Sequence, residues 1–198
     1  MTSPKNPLHN GTVTISHEEI STLPLKAFKG KIILLQEEAK LAKAFDEIKE
    51  HEAIGFDTET RPSFKKGVIH KVSLLQIAIP EKVFLVRLNQ TGMASPIVDF
   101  LENDVVQKAG IGIRDDIKAL NRLARFQPGG FTELSALARQ AGLQVESVKK
   151  LAALLLGFRI SKAAQTSNWE AATLTKKQLE YAATDAWVCL EIYRKLRA

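Results

Sequence analysis

The chain has 198 residues, 45% of them apolar and 25% charged, a balance that supports one well-buried core and excludes a disordered, fibrous or disulfide-scaffolded protein. Its 28 Lys and Arg exceed its 22 Asp and Glu by six, which suits a polyanionic partner, although a moderate excess of lysine is also common in proteins that never touch nucleic acid. One cysteine, Cys189, and four histidines without ligand spacing (His9, His17, His51, His70) disfavour thiolate or imidazole metal sites and leave a hard cation held by oxygens.

The N-terminus MTSPKNPLHNGT carries no apolar signal core, and the longest apolar stretches, VSLLQIAI and LAALLLG, are too short to cross a bilayer. The protein is therefore expected to be cytoplasmic, with no membrane partner. Residues 1–30 read as an N-terminal extension that opens on a Pro- and Asn-containing tail, and residues 31–198 as one domain without repeat or linker.

Predicted elements then alternate. Strands are expected at Ile32–Leu35, Ala53–Thr58, Val72–Ile79, Val83–Arg87 and Val105–Ala109, with Pro80–Glu81–Lys82 turning the third into the fourth. Helices are expected near Glu37–Lys49, Ser95–Glu102, Ile113–Arg125, Thr132–Gln140, Ser147–Leu156 and Lys176–Leu196. The order predicts an α/β protein whose sheet is antiparallel at first and then parallel.

Three segments hold acids that structure alone explains poorly. In AIGFDTET, strand alternation puts Asp57 and Glu59 on one face with Gly55 and Ala53, while Ile54 and Phe56 face the other way. Small residues there are expected to leave room for a phosphate, and two neighbouring carboxylates call for a cation to offset their repulsion. An isolated D-T-E also fits a strand-end aspartate capping a turn beside a solvated glutamate. In GIGIRDDIKAL, steps of three and four from Asp116 reach Leu120 and Leu123, so Asp116 points inward, while Asp115 steps to Lys118 and Arg122 on the wet face. Both acids also suit the positive end of a helix. In LTKKQLEYAATDAW, Thr175 and Gln178 form a capping box, and Tyr181 and Asp185 lie one turn apart. Ala182, Ala183 and Ala186 would let that helix approach a sheet closely.

Taken in this order, the segments resemble the three sequence motifs of the DEDD 3′-5′ exonucleases, in the branch of ribonuclease D and the Werner exonuclease. The likeness runs from about Lys31 to the end and includes Lys108–Ile113, Phe131–Leu134, Leu154–Gly157 and Ser167–Trp169. It implies a ribonuclease H-like fold with a five-stranded mixed sheet flanked by helices, and two Mg²⁺ or Mn²⁺ ions per site. By position, Asp57, Glu59 and Asp185 resemble direct metal ligands, Asp116 the acid completing the second metal's shell, and Tyr181 the motif's catalytic tyrosine. Glu180 stands where the other branch has histidine. Gly112 and Asp115 stand where related enzymes often carry Asn and an aromatic residue, a departure that bears on substrate contacts and leaves the metal ligands in place.

The implied reaction is metal-dependent hydrolysis from the 3′ end of single-stranded or frayed DNA or RNA, releasing nucleoside 5′-monophosphates. Thr58, Arg61, Lys65, Lys66 and Lys162 are candidate substrate contacts, with Lys149 and Lys150 beside them, and Phe64 a candidate platform for a terminal base. The lysines also fit a solvated face, and Phe64 a loop side chain against the core. A haloacid-dehalogenase-like phosphatase would need an aspartate in place of Glu59 and a later G-D-G-x-N-D loop, which the sequence lacks. The remaining rival is a catalytically inactive nucleic-acid-binding module on the same fold. Oligomeric state and the choice between DNA and RNA are not written in the sequence.

Overall fold

A computed structural model describes residues 13–145 and 147–198; the Pro- and Asn-containing tail lies outside the described residues. Its centre is a mixed sheet of β1 (Lys31–Leu35), β2 (Ala53–Thr60), β3 (Val72–Ile79), β4 (Lys82–Val86), β5 (Gln107–Gly110) and β6 (Phe131–Glu133), in the order β1-β4-β3-β2-β5-β6. β2, β3 and β4 form an antiparallel meander. β1 joins β4 in parallel at one edge, and β5 and β6 add in parallel beyond β2. The helices are α1 (His17–Thr22), α2 (Leu41–Lys49), α3 (Leu88–Thr91), α4 (Ser95–Glu102), α5 (Ile113–Asn121), α6 (Leu134–Gln140), α7 (Val148–Leu156) and α8 (Lys176–Arg197).

β3 is buried along its whole length because both faces of the sheet are covered. On one face Ile54, Phe56, Leu75 and Ile77 pack against Phe45 and Ile48 of α2 and Phe100 of α4. On the other, Leu74, Ala78 and Leu85 pack against Ala182, Ala183 and Ala186 of α8. α8 is secured at its start by the predicted capping box, with Gln178 N donating to Thr175 Oγ1 at 3.3 Å and Thr175 N to Gln178 Oε1 at 3.0 Å.

The sheet has six strands where five were expected. Phe131–Glu133, in part assigned to a helix from Thr132, instead pairs with Lys108–Gly110. Helix α6 therefore starts at Leu134, with Glu133 as its N-cap. The strand is anchored by Phe131 packing edge-on against Phe56, ring centres 5.2 Å apart. Further differences are local: α5 stops at Asn121 rather than Arg125, β5 is Gln107–Gly110 rather than Val105–Ala109, the stretch before α2 opens as a 3₁₀ turn at Glu38–Lys40, and the short helices α1 and α3 were not expected.

Lys108 on β5 is fully buried yet fully partnered. Its ammonium donates to the carbonyls of Asn103 (2.6 Å), Val106 (3.0 Å) and Gly129 (3.0 Å), and lies over the rings of Phe100 and Phe131. Burial pulls its pKa down to about 8, against the opposing pull of Asp104. Among the described residues no helix is long and apolar enough to cross a membrane.

Candidate active site

The acids meet where β2 runs beneath α8. Asp57 and Glu59 project from β2 on the face covered by α8, as strand alternation predicts, and Asp185 comes down from the helix. Carboxylate oxygens of the three lie within 4.8 Å of one another. The approach is close because Gly55 has no side chain: a Cβ there would sit 1.9 Å from the Ala186 carbonyl oxygen. The small residue expected to leave space for a phosphate thus serves another purpose, since the helix backbone already fills that space.

Asp116 is held beside this cluster. Its Oδ1 accepts a 2.5 Å hydrogen bond from Thr58 Oγ1, while Asp115 faces solvent and pairs with Lys118 at 3.2 Å. α5 is aimed by Glu133, whose Oε2 accepts from the backbone N–H groups of Gly112 (2.9 Å) and Ile113 (3.1 Å). Gly112 caps the helix at φ +76°, a left-handed conformation that Gly adopts freely and Asn tolerates, which accounts for the glycine in the departure seen in the sequence but not for Asp115.

Burial and mutual repulsion dominate the electrostatics. The Asp57 carboxyl is pushed well above the usual range by burial and then by Asp185, Asp116 and Glu59. Burial followed by Asp185 and Asp116 lifts Glu59 to about 9. Asp116 rises to about 6 through burial, restrained by the Thr58 hydrogen bond. Asp185 also rises to about 6 through burial, restrained by Tyr181 and then Lys149. The pKa of the Tyr181 phenol is itself pushed up by burial and then by the Asp185 carboxylate. Asp185 Oδ1 is buried with no hydrogen-bond partner among the described residues.

These residues fit a divalent cation. An oxygen-only donor set, an orphaned carboxylate oxygen and acids that raise one another's pKa values form an environment that a hard cation neutralises. A stability prediction follows from Glu59. Its folded pKa of about 9 exceeds its ordinary value of 4.5, so the folded state binds more protons between those limits. The contribution is fully present below about 4.5 and is lost as pH rises towards about 9. In chelator, the melting temperature of wild type is expected to fall relative to Glu59→Gln as pH rises through that window. Added Mg²⁺ or Mn²⁺ should raise the wild-type melting temperature more at the alkaline end. A constant difference between the two proteins across the window would refute the assignment.

Asp57, Glu59 and Asp185 open onto a cavity of about 350 Å³ that is also lined by Thr58, Tyr181, Ser147, Lys149, Lys162 and Gln165, whereas Asp116 stands behind its wall. Of the predicted contact residues, Thr58 and Lys162 reach this cavity and Arg61, Phe64, Lys65 and Lys66 do not line it. Arg61 pairs with Glu170 at 3.2 Å, Phe64 stands 88% exposed on the loop after β2, and Lys65 and Lys66 are exposed beside it. Sequence reasoning missed Glu133, Gln165 and Gln76. Gln76 faces Asp57 across the β2–β3 ladder, and both of its side-chain polar atoms are buried without a hydrogen-bond partner. A lone glutamine in the apolar run VSLLQIAI was the available signal.

A family model described as 3′-5′ exonuclease matches residues 32–198. The chain belongs to the 3′-5′ exonuclease family. This exonuclease domain is 31% identical over 184 residues to the mouse bifunctional 3′-5′ exonuclease/ATP-dependent helicase WRN, covering 88% of the chain and 13% of that protein. It is 31% identical over 150 residues to a 3′-5′ exonuclease of Arabidopsis thaliana, covering 73% of the chain and 52% of the relative. The chain thus spans from an eighth to about half of these relatives' length.

Solved structures share its fold. The Aedes aegypti Nibbler EXO domain superposes with a TM-score of 0.79 at 22% identity, covering 87% of this chain and 91% of that one. Escherichia coli RNase D does so at 0.76 and 22%, covering 84% and 44%. Trypanosoma brucei RNase D, solved in complex with RNA U12, does so at 0.76 and 20%, covering 85% and 63%. The ribonuclease H-like fold implied by the motifs is the fold of this domain.

Proposed function

We propose that residues 31–198 catalyse divalent-metal-dependent hydrolysis of the terminal phosphodiester at the 3′ end of single-stranded or frayed nucleic acid, releasing nucleoside 5′-monophosphates. The observation that carries this reading is the convergence of Asp57, Glu59 and Asp185 within 4.8 Å at the base of a cavity that Tyr181 also lines. Asp57, Glu59 and Asp185 are the residues to hold two Mg²⁺ or Mn²⁺ ions, with Asp116 completing the set. When bound, such ions acidify a water and neutralise charge on the phosphoryl group and the departing oxygen.

The chain's own groups do the positioning. The Tyr181 hydroxyl, kept protonated by its buried and acidic surroundings, orients the attacking water. The water oxygen gives up a proton to solvent as it bonds to phosphorus, the bond to the 3′ oxygen of the preceding nucleotide breaks, and that oxygen takes up a proton from solvent. Thr58 keeps Asp116 in place through its 2.5 Å hydrogen bond. Lys149 and Lys162 supply positive charge to the phosphate, and Phe64, exposed on the loop beyond Glu59, is available to stack on a base.

The test is digestion of matched 5′-labelled DNA and RNA oligonucleotides with Mg²⁺, Mn²⁺ or chelator. The expected result is a ladder shortening from the 3′ end only when metal is present. Binding without release of mononucleotides in either metal would return the chain to the inactive-module reading. Tyr181→Phe is expected to lower kcat roughly 100-fold with KM little changed, leaving a slow residual rate. Wild-type kcat in that variant would remove the phenol from the mechanism.

A further inference from the structure

The family match begins at residue 32, yet the described residues before it are tied to the domain. Arg159 N donates to Pro24 O at 3.0 Å, Arg159 Nε to Leu23 O at 3.0 Å, and Lys26 N to Arg159 O at 2.9 Å. Further along, Phe28 N donates to Thr184 Oγ1 of α8 at 3.0 Å, and the Phe28 ring is buried against that helix. The segment from α1 to Phe28 is a strap with long-range bonds to two separate parts of the fold.

The strap and the start of α7 enclose a second cavity of about 350 Å³. Ile20 and Leu25 come from the strap, and Lys149, Lys150 and Lys162 from the domain; no carboxylate of the described residues lines it. Ser147, Lys149 and Lys162 line the acid-bearing cavity as well, so the two spaces adjoin along a shared wall. Among the described residues, none of the three lysines has an ion pair with a carboxylate. The result is a trench that is acidic at one end, and cationic with an apolar rim at the other.

We propose that the strap end of this trench is a nucleotide subsite upstream of the scissile bond. In it Lys149, Lys150 and Lys162 hold the sugar-phosphate backbone, and Ile20 and Leu25 face the base. The occupant follows from three features. The charge is complementary to a polyanion, the trench is continuous with the acids, and a cavity of this size has room for about one nucleotide. Because the strap precedes the residues that the family model matches, the subsite reaches beyond the matched region. The inference rests on the nuclease reading for the identity of its ligand.

The test uses the full chain, with Lys150→Glu and Ile20→Asp as trench variants and Lys49→Glu, on the opposite face, as control. Two cleavage probes are compared: a 5′-fluorescein-labelled ten-nucleotide thymidine oligomer, and the p-nitrophenyl ester of thymidine 5′-monophosphate, which has no upstream nucleotide. Each trench variant is expected to raise KM for the oligomer with little change in kcat, so that kcat/KM falls at least about fivefold more on the oligomer than on the ester. Lys150→Glu should also reduce the salt dependence of oligomer binding by about one phosphate contact. Equal losses on both probes, or oligomer kinetics matching Lys49→Glu, would overturn the subsite. Anisotropy of the labelled oligomer in chelator separates the two readings. If wild type releases no mononucleotide but the trench variants still weaken binding, the subsite stands and the nuclease reading falls. If wild type cleaves and the trench variants bind normally, the subsite falls alone.

Discussion

Asp57→Asn is expected to lower turnover by at least about 10³-fold while raising the melting temperature of the metal-free protein by several degrees at neutral to alkaline pH. The two effects share one cause. Burial, and then Asp185, Asp116 and Glu59, disfavours the charged form of Asp57, so the metal-free protein must either take up a proton there on folding or bear the buried charge, and Asn removes that cost. Asn keeps the side-chain oxygen that accepts from the Thr58 N–H at 2.9 Å, so local geometry is retained. What is lost is a charged oxygen ligand and with it the metal's stabilisation of charge in the transition state. Thermal melts in chelator and single-turnover cleavage with Mn²⁺ measure the two halves. A variant that cleaves at near the wild-type rate would refute the site, and one that melts lower in chelator would refute the electrostatic account.

Gly55→Ala is expected to cost at least about 3 kcal/mol, a drop of roughly 10 °C in melting temperature, and to depress cleavage even where the protein is still folded. The new methyl group would lie 1.9 Å from Ala186 O and 2.9 Å from Leu190 N, both backbone atoms of α8 that no rotamer change can move. The helix must shift as a body, and Asp185, one residue before Ala186, shifts with it. A substitution buried under the helix should therefore reduce kcat through geometry alone. If the variant melted within a degree or two of wild type and cleaved normally, the close approach of α8 to β2 would not be what positions the acid.

Much of the site could be read before the fold was seen because each element carries a strong period. Alternation in AIGFDTET fixed the shared face of Asp57 and Glu59, and the apolar stripe of Leu120 and Leu123 turned Asp116 inward. Other features depend on contacts that no local pattern encodes. A glycine in a strand announces a close neighbour without saying whether it is a ligand or a helix, and Gly55 proved to be the second kind. Phe131–Glu133 has too few residues to display alternation, and its pairing partner lies more than twenty positions away. The same holds for Glu133, which orients α5 through the backbone N–H groups of Gly112 and Ile113. Arg61, Lys65 and Lys66 were selected by nearness in sequence to Asp57, but the loop after β2 carries them away from the cavity wall.

The setting of Lys108 gives the protein a built-in reporter of its own opening. The native fold shields its amine from any dissolved acylating reagent. Modification at this one position would accumulate only as the sheet between α4 and β6 comes apart, so its rate would act as a clock for exposure of the molecule's interior.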